Sequence, residues 1–323
     1  MSPSVSILIP VYNAERWIAQ AIESALAQTW REKEVIIVDD GSTDRSLDII
    51  RRFDARIRWE TGPNRGGNAA RNRLLELARG EWLQYLDADD WLRPEKITHQ
   101  VEFLSRHPAC DVVCSPTLDQ KTENGDLVPV NADTPFPVDP WILLAHWRLP
   151  QTGGPLWRRA ALDRVGGWRE GQPCCQEHEL YFRLLEAGCR FEFYDSSLAI
   201  YRNWEHGSRV TGRLGSEIDR QRLKILDRIS RCLAGRGTLT AARRRAVSDA
   251  RHEVARKAWS RDRRLALDVI RQVKASDPGF CPSEGPSSPQ AYRFIYRMVG
   301  FEASQWIAKG KRGISSALSS GLV

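Results

Sequence analysis

Several common sequence features are missing from this chain of 323 residues. No apolar run is long enough to cross a bilayer, and the opening stretch, MSPSVSILIPVYN, has no basic segment ahead of its short apolar run, which argues against a secretory signal. The seven cysteines follow no metal-binding spacing. Neither GxGxxG nor GKS/T occurs. We therefore expect a cytoplasmic protein with reduced thiols that is neither a dehydrogenase nor a P-loop NTPase.

The composition indicates a folded and basic protein. Hydrophobic residues make up 41% of the chain and charged residues 28%, which is ordinary for a soluble globular protein. The formal net charge is +7, and most of the positive charge is arginine, whose forked guanidinium suits phosphates and carboxylates. Charge alone is compatible with anionic substrates, lipid headgroups and nucleic acid. No nucleic-acid-binding motif accompanies it, so we expect no nucleic-acid partner.

Residues 4–115 alternate between short apolar runs and helical patterns. The runs VSILIPV, EVIIVDD, RIRWET, EWLQYL and DVVCS have the β-branched, apolar character of buried strands. Between them, apolar residues recur at helical spacing, as at Ile18, Ala21 and Ile22. This alternation predicts parallel βαβ units wound right-handed, that is, a mostly parallel sheet flanked by helices.

The rest of the chain divides into two parts. Residues 116–212 begin irregularly, with TENGD predicted as a hairpin turn and DPWILLAHW as a short helix, and then return to a strand, helix, strand rhythm. Residues 213–323 contain long arginine-rich helical stretches and one Pro/Ser/Gly linker. We therefore predict a Rossmann-like α/β domain with two halves, 1–115 and 116–212, followed by an α-helical C-terminal extension, 213–323.

Carboxylates gather where two of the predicted strands end. Asp39 and Asp40 end the second strand, and Asp87, Asp89 and Asp90 follow the fourth in YLDADDW. Ligands of parallel α/β sheets bind outside the carboxyl ends of the strands, so these acids should share one edge of the sheet. In extended backbone Asp87 and Asp89 face the same way, and paired carboxylates suit Mg²⁺ or Mn²⁺ with positions left for water and phosphate. The alternative for Asp90 is an N-terminal cap on the helix that follows.

Four motifs, in their order and spacing, resemble those of the family 2 glycosyltransferases. They are SVSILIPVYNAERWIAQAIESALAQT, EVIIVDDGSTDRS, NRGGNAARN and YLDADDWLRPEKI. The similarity is close over residues 4–115, thins over residues 150–210 and is absent beyond them. The resemblance implies the GT-A fold and an inverting enzyme that uses a nucleoside diphosphate sugar.

The resemblance also implies roles for residues of these motifs. Asp39 would hold the base, Arg71 would reach the base or the phosphates, and Asp87 would contact the ribose or the metal ion. Asp89 would coordinate Mn²⁺ or Mg²⁺ directly. The implied nucleotide-binding residues are Pro10, Val11, Tyr12, Asn13, Asp39, Asn68, Arg71, Asp87 and Ala88. The alternative for Arg71 is a structural ion pair with Glu76 or Asp87.

The stretch QEHELYFRLLEAG resembles the general-base motif of the family, written roughly E-D-x-[DE]-L-W-x-R. Aligned on its tail, Gln176 stands where Glu is usual and Glu177 where the catalytic Asp is usual. The resemblance thus implies that Glu177 takes the proton of the acceptor. Glu179 is a second acceptor-site candidate, but the two side chains project differently from a helix, so only one can fill the place of the base. The alternative for Glu177 is a charge that complements the helix dipole.

Two further segments resemble loops of the family that contact acceptor and diphosphate. GGPLWRRAALDRVGGWRE carries Trp168 and Arg169 where Phe and Asp are usual, and Trp168 either stacks on a sugar ring or belongs to the core. YRNWEHGSRVT resembles a loop that often reads YR-x-H-x-x-S, with His206 two residues late. His206 would complete the metal shell or touch the diphosphate, with an ordinary surface histidine as the alternative. Arg209 would clamp the diphosphate when the loop closes.

These features predict an inverting glycosyltransferase that favours UDP and acts by metal-assisted direct displacement. Its acceptor would be a glycan or a lipid-linked saccharide in bacterial cell-surface polysaccharide synthesis. One alternative is a sugar-nucleotide-binding protein that has lost its base. Another is a metal-dependent nucleotidyltransferase, although PVYNAERW lacks the glycine-rich, basic loop that such enzymes carry after the first strand.

The basic C-terminal extension has two alternative partners. Phe294, Met298 and Phe301 are predicted on one helical face, and Trp306 and Ile307 precede three basic residues. This mixture suits peripheral contact with the inner face of an anionic membrane. The alternative is a helical bundle that packs on the catalytic domain or in a homodimer.

Overall fold

The computed structural model describes residues 4–121, 127–129, 139–203, 215–285 and 288–320, without the side chains at 121, 127–129, 203 and 309–320. The chain divides into two compact units, Met1–Arg209 and Val210–Val323. Among the described helices, none combines the length and the apolar character that crossing a bilayer requires.

The first unit is α/β, as predicted. Its described strands are β1 (Val5–Val11), β2 (Lys33–Asp39), β3 (Arg58–Thr61), β4 (Trp82–Tyr85), β5 (Trp91–Leu92), β6 (Val112–Cys114), β7 (Thr117–Lys121), β8 (Leu127–Pro129), β9 (Leu156–Arg158), β10 (Phe191–Phe193) and β11 (Ala199–Asn203). Its described α-helices are α1 (Ile18–Leu26), α2 (Ser46–Arg51), α3 (Gly67–Leu77), α4 (Lys96–Ser105), α5 (Pro140–Ala145), α6 (Arg159–Val165) and α7 (Gln176–Glu186).

Seven strands form the main sheet in the order β10-β6-β9-β4-β1-β2-β3. The neighbours β3, β2, β1 and β4 are all parallel, which confirms the predicted parallel core. Strand β9 lies antiparallel between β4 and β6, which the alternation pattern did not indicate. The sheet therefore takes strands from both predicted halves of the domain, and the boundaries at residues 115 and 212 remain predictions.

The centre of the main sheet is apolar on both faces. Every residue of β1 is buried except the half-buried Pro10, and α1 buries Ile18, Ala21, Ile22 and Ala25 against the sheet. Full burial of a side chain such as Val, Leu or Ile contributes roughly 1.5–3 kcal/mol. This core fixes the places at which the central strands end.

A smaller sheet has the strand order β5-β11-β7-β8. Strand β5 directly follows the acidic turn at residues 87–90, and its Trp91 pairs with Ile200 of β11. This pairing brings the end of β11 beside the acidic turn. Strands β7 and β8 pair antiparallel, as a hairpin requires, while the predicted turn at residues 122–126 lies outside the described residues.

A buried polar network crosses the core of the first unit. Lys96 is fully buried, and its Nζ donates to the Oε1 atoms of Gln84 and Gln100, at 2.8 Å for Gln100. The side-chain amides of Gln84 and Gln100 donate in turn to the carbonyl oxygens of Gly153 and Gly154, each at 3.0 Å. Burial lowers the pKa of Lys96 well below its ordinary value. The network thereby anchors the backbone at residues 153–154.

The second unit is helical, as predicted. Its described helices are α8 (Gly215–Gly235), α9 (Ala241–Ala258), α10 (Arg263–Ser276) and α11 (Gln290–Ser320). Within α11, Gly300 is not helical, with φ 75° and ψ −172°. Phe301 is 3% exposed, whereas Phe294 and Met298 are 67% and 70% exposed. The predicted shared face is therefore wrong for Phe301, because the break at Gly300 changes the direction in which the following residues point.

Candidate active site

Three strands of the first unit end side by side. Val11 of β1 pairs with Asp39 of β2, and Leu8 of β1 pairs with Tyr85 of β4. Beyond these pairs, the amide of Leu86 still donates to the carbonyl of Leu8 at 2.9 Å. We call the segments 10–13, 39–42 and 86–90 the rim. It is the edge at which parallel α/β sheets bind ligands.

Asp39 ends β2 as a buried carboxylate on the rim. It is 1% exposed and accepts a hydrogen bond from Thr61 Oγ1 at 2.6 Å. The backbone N–H of Ser42 adds a longer contact of 3.3 Å to its Oδ1. Because the Thr61 hydroxyl and the Ser42 N–H bind different oxygens of Asp39, the carboxylate that was predicted to hold the base is held in one orientation.

Asp40 shapes the loop that leads into α3. It is 6% exposed and accepts from the backbone N–H groups of Arg65 at 2.7 Å and Gly66 at 2.9 Å. The next residue, Gly41, has φ 75°, and a Cβ there would lie 2.8 Å from the backbone nitrogen of Asn64. Glycine is therefore required where the second strand turns away from this loop.

The segment after β1 exposes two of its four predicted nucleotide-binding residues. Tyr12 is 53% exposed, and Asn13 is exposed with φ 48°. The Oδ1 atom of Asn13 accepts from the backbone N–H of Thr43 at 2.8 Å, which ties this segment to the loop after β2. Pro10 is half-buried and the Val11 side chain belongs to the core, so Val11 has only backbone to offer a ligand.

An ion pair joins α3 to the end of β4. The Nη2 atom of Arg71 lies 2.7 Å from Oδ1 of Asp87, and the two side chains are 10% and 27% exposed. The Trp168 ring lies 4.9 Å from Cζ of Arg71 and makes an edge contact with Tyr85. Trp168 is 2% exposed, so it is a core residue beside the guanidinium and has no exposed face for a sugar. The structural ion pair considered for Arg71 is present.

Glu177 lies in the first turn of α7, near this ion pair. The hydroxyl of Thr152 donates to its Oε1 at 2.7 Å. Burial alone would lower the pKa of Arg71, but the carboxylates of Asp87 and Glu177 outweigh it and keep that pKa above its usual value. Thr152 was not identified from the sequence. It stands next to residues 153–154, which the Lys96 network anchors.

Glu179 is a buried carboxylate that forms ion pairs within the first unit. It is 1% exposed and forms ion pairs with Arg183 at 2.8 Å and Arg169 at 3.4 Å. The two glutamates of this helix thus have different surroundings. Glu177 is partly exposed near Arg71, whereas Glu179 fixes α7 to the loop at residues 166–171.

Two asparagines of α3 hold the loop that contains Trp168. Asn72 donates from Nδ2 to the Trp168 carbonyl at 2.8 Å and accepts at Oδ1 from the Trp168 N–H at 2.7 Å. Asn68 donates to the Arg169 carbonyl at 2.8 Å and is 4% exposed. A Cβ on Gly167, whose φ is 66°, would lie 2.6 Å from Oδ1 of Asn72. These contacts of Asn68 and Asn72 with residues 168–169 are called the tether below. No sequence pattern predicted the tether, because its partners lie about a hundred positions apart.

Arg202 of β11 closes the acidic turn. Its backbone N–H donates to Oδ1 of Asp90 at 2.9 Å, and its Nη1 donates to the Asp89 carbonyl at 3.0 Å. The guanidinium lies over the Trp17 ring, 4.0 Å from its centroid. The suggested cap role of Asp90 is wrong, since α4 begins only at Lys96 and Asp90 binds the backbone of β11 instead.

The acidic turn concentrates negative charge in a way that suits a divalent cation. Burial, and then the charges of Asp89 and Asp87, raise the pKa of Asp90 well above its ordinary value. Ala88 between them is 8% exposed and packs in the core. Among the described residues, no group of three His, Cys, Asp or Glu side chains could hold a metal ion. The predicted site residues His206 and Arg209 lie outside the residues that the structure describes. A cation held by Asp87 and Asp89 alone would need water and phosphate oxygens to complete its shell.

Comparison with known proteins finds a similar family. Residues 6–154 match the family model described as Glycosyl transferase family 2. A protein of Haemophilus influenzae described as an uncharacterized glycosyltransferase is 42% identical over 106 residues, which are 32% of this chain and 42% of that protein. The chain thus spans less than half the length of this curated relative.

Solved structures share the fold. S. aureus TarS 1-349 in complex with UDP-GlcNAc aligns with a TM-score of 0.65 at 16% identity, over 96% of this chain and 92% of that chain. The mannosyltransferase PcManGT from Pyrobaculum calidifontis, in complex with GDP-Man and Mn²⁺, aligns with a TM-score of 0.56 at 15% identity, over 100% of this chain and 88% of that chain. The fold is GT-A, a mostly parallel α/β sheet followed by a helical C-terminal region, and residues 6–154 of the chain are similar to glycosyl transferase family 2.

Proposed function

We propose that this protein transfers a sugar from a nucleoside diphosphate sugar, with UDP favoured, to an acceptor hydroxyl and inverts the configuration at the transferred carbon. The observation that carries the proposal is the grouping of Glu177 with the Arg71–Asp87 ion pair at the end of β4. A base, a guanidinium and an acidic turn are the groups that this reaction needs. The family-model match over residues 6–154 and the nucleotide sugars bound by the two structural neighbours support it.

The donor would lie along the rim. The fixed carboxylate of Asp39 can accept an N–H of a pyrimidine base, and the exposed Tyr12 ring offers it an apolar face. Arg71 has unused donor capacity, since its Nη1 contact with Asn68 is long at 3.4 Å and its buried Nε has no hydrogen-bond partner in the described part of the chain. An oxygen of the diphosphate would supply the missing acceptor.

Transfer would proceed by direct displacement. Glu177 takes the proton of the acceptor hydroxyl, the acceptor oxygen bonds to the anomeric carbon, and the bond from that carbon to the diphosphate breaks. Arg71 stabilises the negative charge that grows on the leaving diphosphate. A Mn²⁺ or Mg²⁺ ion at Asp89 and Asp87 would supply further positive charge there when bound. A carboxylate at Glu177 that acts electrostatically on Arg71 favours this enzyme over a binding protein that has lost its base.

The acceptor and the setting are taken from the family resemblance. We propose a glycan or lipid-linked saccharide as the acceptor, in bacterial cell-surface polysaccharide synthesis at the cytoplasmic side of the membrane. The loops after the strands set the acceptor, and such loops vary between relatives of one fold.

Calorimetric titration of UDP, GDP and dTDP, each with and without Mn²⁺, tests the donor site. We expect one diphosphate to bind in the presence of Mn²⁺ and Asp89→Ala to weaken that binding about tenfold or more. Asp48→Ala is the matched control, because Asp48 is a 65% exposed carboxylate on α2. Absence of binding by all three diphosphates in every condition would refute the proposal.

A further inference from the structure

We propose that the second unit binds the surface of an anionic lipid bilayer through an exposed apolar patch on α11. The patch, called the α11 patch below, consists of Phe294, Met298 and Val299. The inference concerns the second unit alone and does not depend on sugar transfer by the first.

The α11 patch is unusual for the surface of this protein. Phe294, Met298 and Val299 are 67%, 70% and 48% exposed. Of the six large apolar side chains that are exposed in the described residues, five lie in α11. Single exposed apolar residues are normal, but their concentration on one helix marks an interaction surface.

The inner side of the same helix is already occupied. Tyr292 and Tyr296 are 6% and 5% exposed and pack in the core of the second unit. Phe294 and Met298 are one helical turn apart and face away from that core. The first part of α11 is therefore apolar on two sides, and packing within the unit covers only one of them.

The break at Gly300 keeps the rest of the helix attached to the core. Phe301 packs inward, while Trp306 and Ile307 remain 53% and 41% exposed. The Trp306 ring makes an edge contact with Trp259, and the Arg263 guanidinium lies 5.5 Å from its centroid. A partly exposed tryptophan beside a cation is typical of groups that settle at the interface between lipid and water.

The positive charge of the second unit indicates which kind of partner surface the α11 patch binds. Residues 210–323 contain 23 Lys and Arg against 10 Asp and Glu, whereas residues 1–209 contain 25 against 31. The second unit thus has a formal charge of +13, although the whole chain has only +7. Such an excess attracts an anionic bilayer and repels a second copy of the same unit.

The basic and apolar residues are interleaved at the α11 patch itself. Arg293 precedes Phe294, and Arg297 precedes Met298 one turn later. Arg297 is exposed, and Arg293 is half-buried with Glu284 at 3.0 Å from its Nη1. Apolar side chains that enter the acyl boundary, with guanidinium groups beside them at headgroup level, are the pattern of an interfacial helix.

Vesicle flotation with the full chain tests the inference. We expect the protein to bind vesicles of phosphatidylcholine and phosphatidylglycerol, to bind phosphatidylcholine alone much less, and to lose binding as salt is added. The double variant Phe294→Ser with Met298→Ser should bind the anionic vesicles at least about tenfold more weakly than the wild type. Ala291→Ser is the matched control, since Ala291 is exposed on the same helix but is small.

Three outcomes would overturn the proposal. One is equal vesicle binding by the double variant and the wild type, and another is equal binding to neutral and anionic vesicles. The third is a wild-type dimer that the double variant dissolves into monomers, measured by sedimentation velocity, because the occupant of the α11 patch would then be a second copy. Diphosphate binding by the double variant is measured in parallel, so failure of this inference is distinguishable from failure of the proposed function.

Discussion

Arg71 has a different relation to each of its charged or aromatic neighbours. Its contact with Asp87 is a direct ion pair at 2.7 Å, Glu177 acts on it through electrostatic attraction, and the Trp168 ring lies 4.9 Å away. A guanidinium can satisfy all three at once because it is planar and has five donors. Under the proposed function, Arg71 would therefore link the donor side and the acceptor side of the site.

Substitution of this guanidinium should weaken donor binding even when the charge is kept. In Arg71→Lys a compact ammonium replaces the fork and the ring contact, so we expect nucleoside diphosphate to bind about 10-fold to 100-fold more weakly, by the magnitude of a charged hydrogen bond. Arg73→Lys is the control, because Arg73 is on the same helix and 47% exposed. Equal affinities of the two variants, measured by calorimetry, would contradict this role.

Removal of the proposed base should separate chemistry from binding. We expect Glu177→Gln to lower the rate of sugar transfer by about 10²-fold to 10⁴-fold, because the amide cannot take the acceptor proton. It should leave diphosphate affinity within about threefold, since the amide oxygen can still accept from Thr152.

Steady-state rates and calorimetry on the same samples check this separation. Glu186→Gln, at the exposed far end of α7, is the control and should transfer at the wild-type rate. A Glu177→Gln enzyme that keeps the wild-type rate would remove Glu177 from the mechanism.

At the scale of elements, α3 does more than cover the sheet. It carries Arg71 toward the rim, and through Asn68 and Asn72 it holds the backbone of residues 168–169. The reciprocal pair between Asn72 and Trp168 satisfies one donor and one acceptor of a loop that has no regular structure of its own. This is the common solution where a loop must be fixed without a strand to pair with.

Loss of that pair should be visible in stability. In Asn72→Ala the N–H and C=O of Trp168 lose their partners, so we expect the free energy of unfolding to fall by about 1–3 kcal/mol. Urea denaturation measures it, with Arg73→Ala as the neighbouring control. If Asn72→Ala and Arg73→Ala unfolded at the same urea concentration, the tether would not contribute to stability.

The sequence predicted these elements unevenly. Long apolar runs such as VSILIPV predicted the parallel core, since periodicity reports burial directly. The three residues of β9 were predicted as a strand, but not as an antiparallel insertion, because strand direction depends on contacts across the sheet. The surroundings of Trp168 and the partner of Asp90 were missed for the same reason, as Asn72 and Arg202 are remote in sequence.

At the scale of the whole molecule, buried ionisable groups make stability depend on pH. His252 of the second unit is 2% exposed and lies 3.2 Å from the Tyr292 hydroxyl through its Nε2. Burial, and then the nearby charge of Arg256, lower the pKa of His252 from 6.5 to about 3. Between these two pH values the unfolded chain binds a proton at this residue and the folded chain does not.

Stability should therefore fall as the pH is lowered from 6.5 toward 3. The contribution of His252 to this slope is at most about 1.4 kcal/mol per pH unit, and we expect His252→Gln to remove it while keeping a polar partner for Tyr292. Thermal unfolding across this pH range measures the slope. His107→Gln, a partly exposed histidine of the first unit, is the control, and identical slopes for wild type and His252→Gln would contradict the assignment.

The tether between α3 and residues 168–169 also bears on how such proteins can be recombined. A chimaera that joins residues 4–115 of this chain to the acceptor half of a relative keeps Asn68 and Asn72 but exchanges the loop that they hold. The proposed donor and acceptor sites would thus not be independent modules divided at residue 115. A useful crossover would exchange α3 together with the loop, so that both ends of the tether come from one parent.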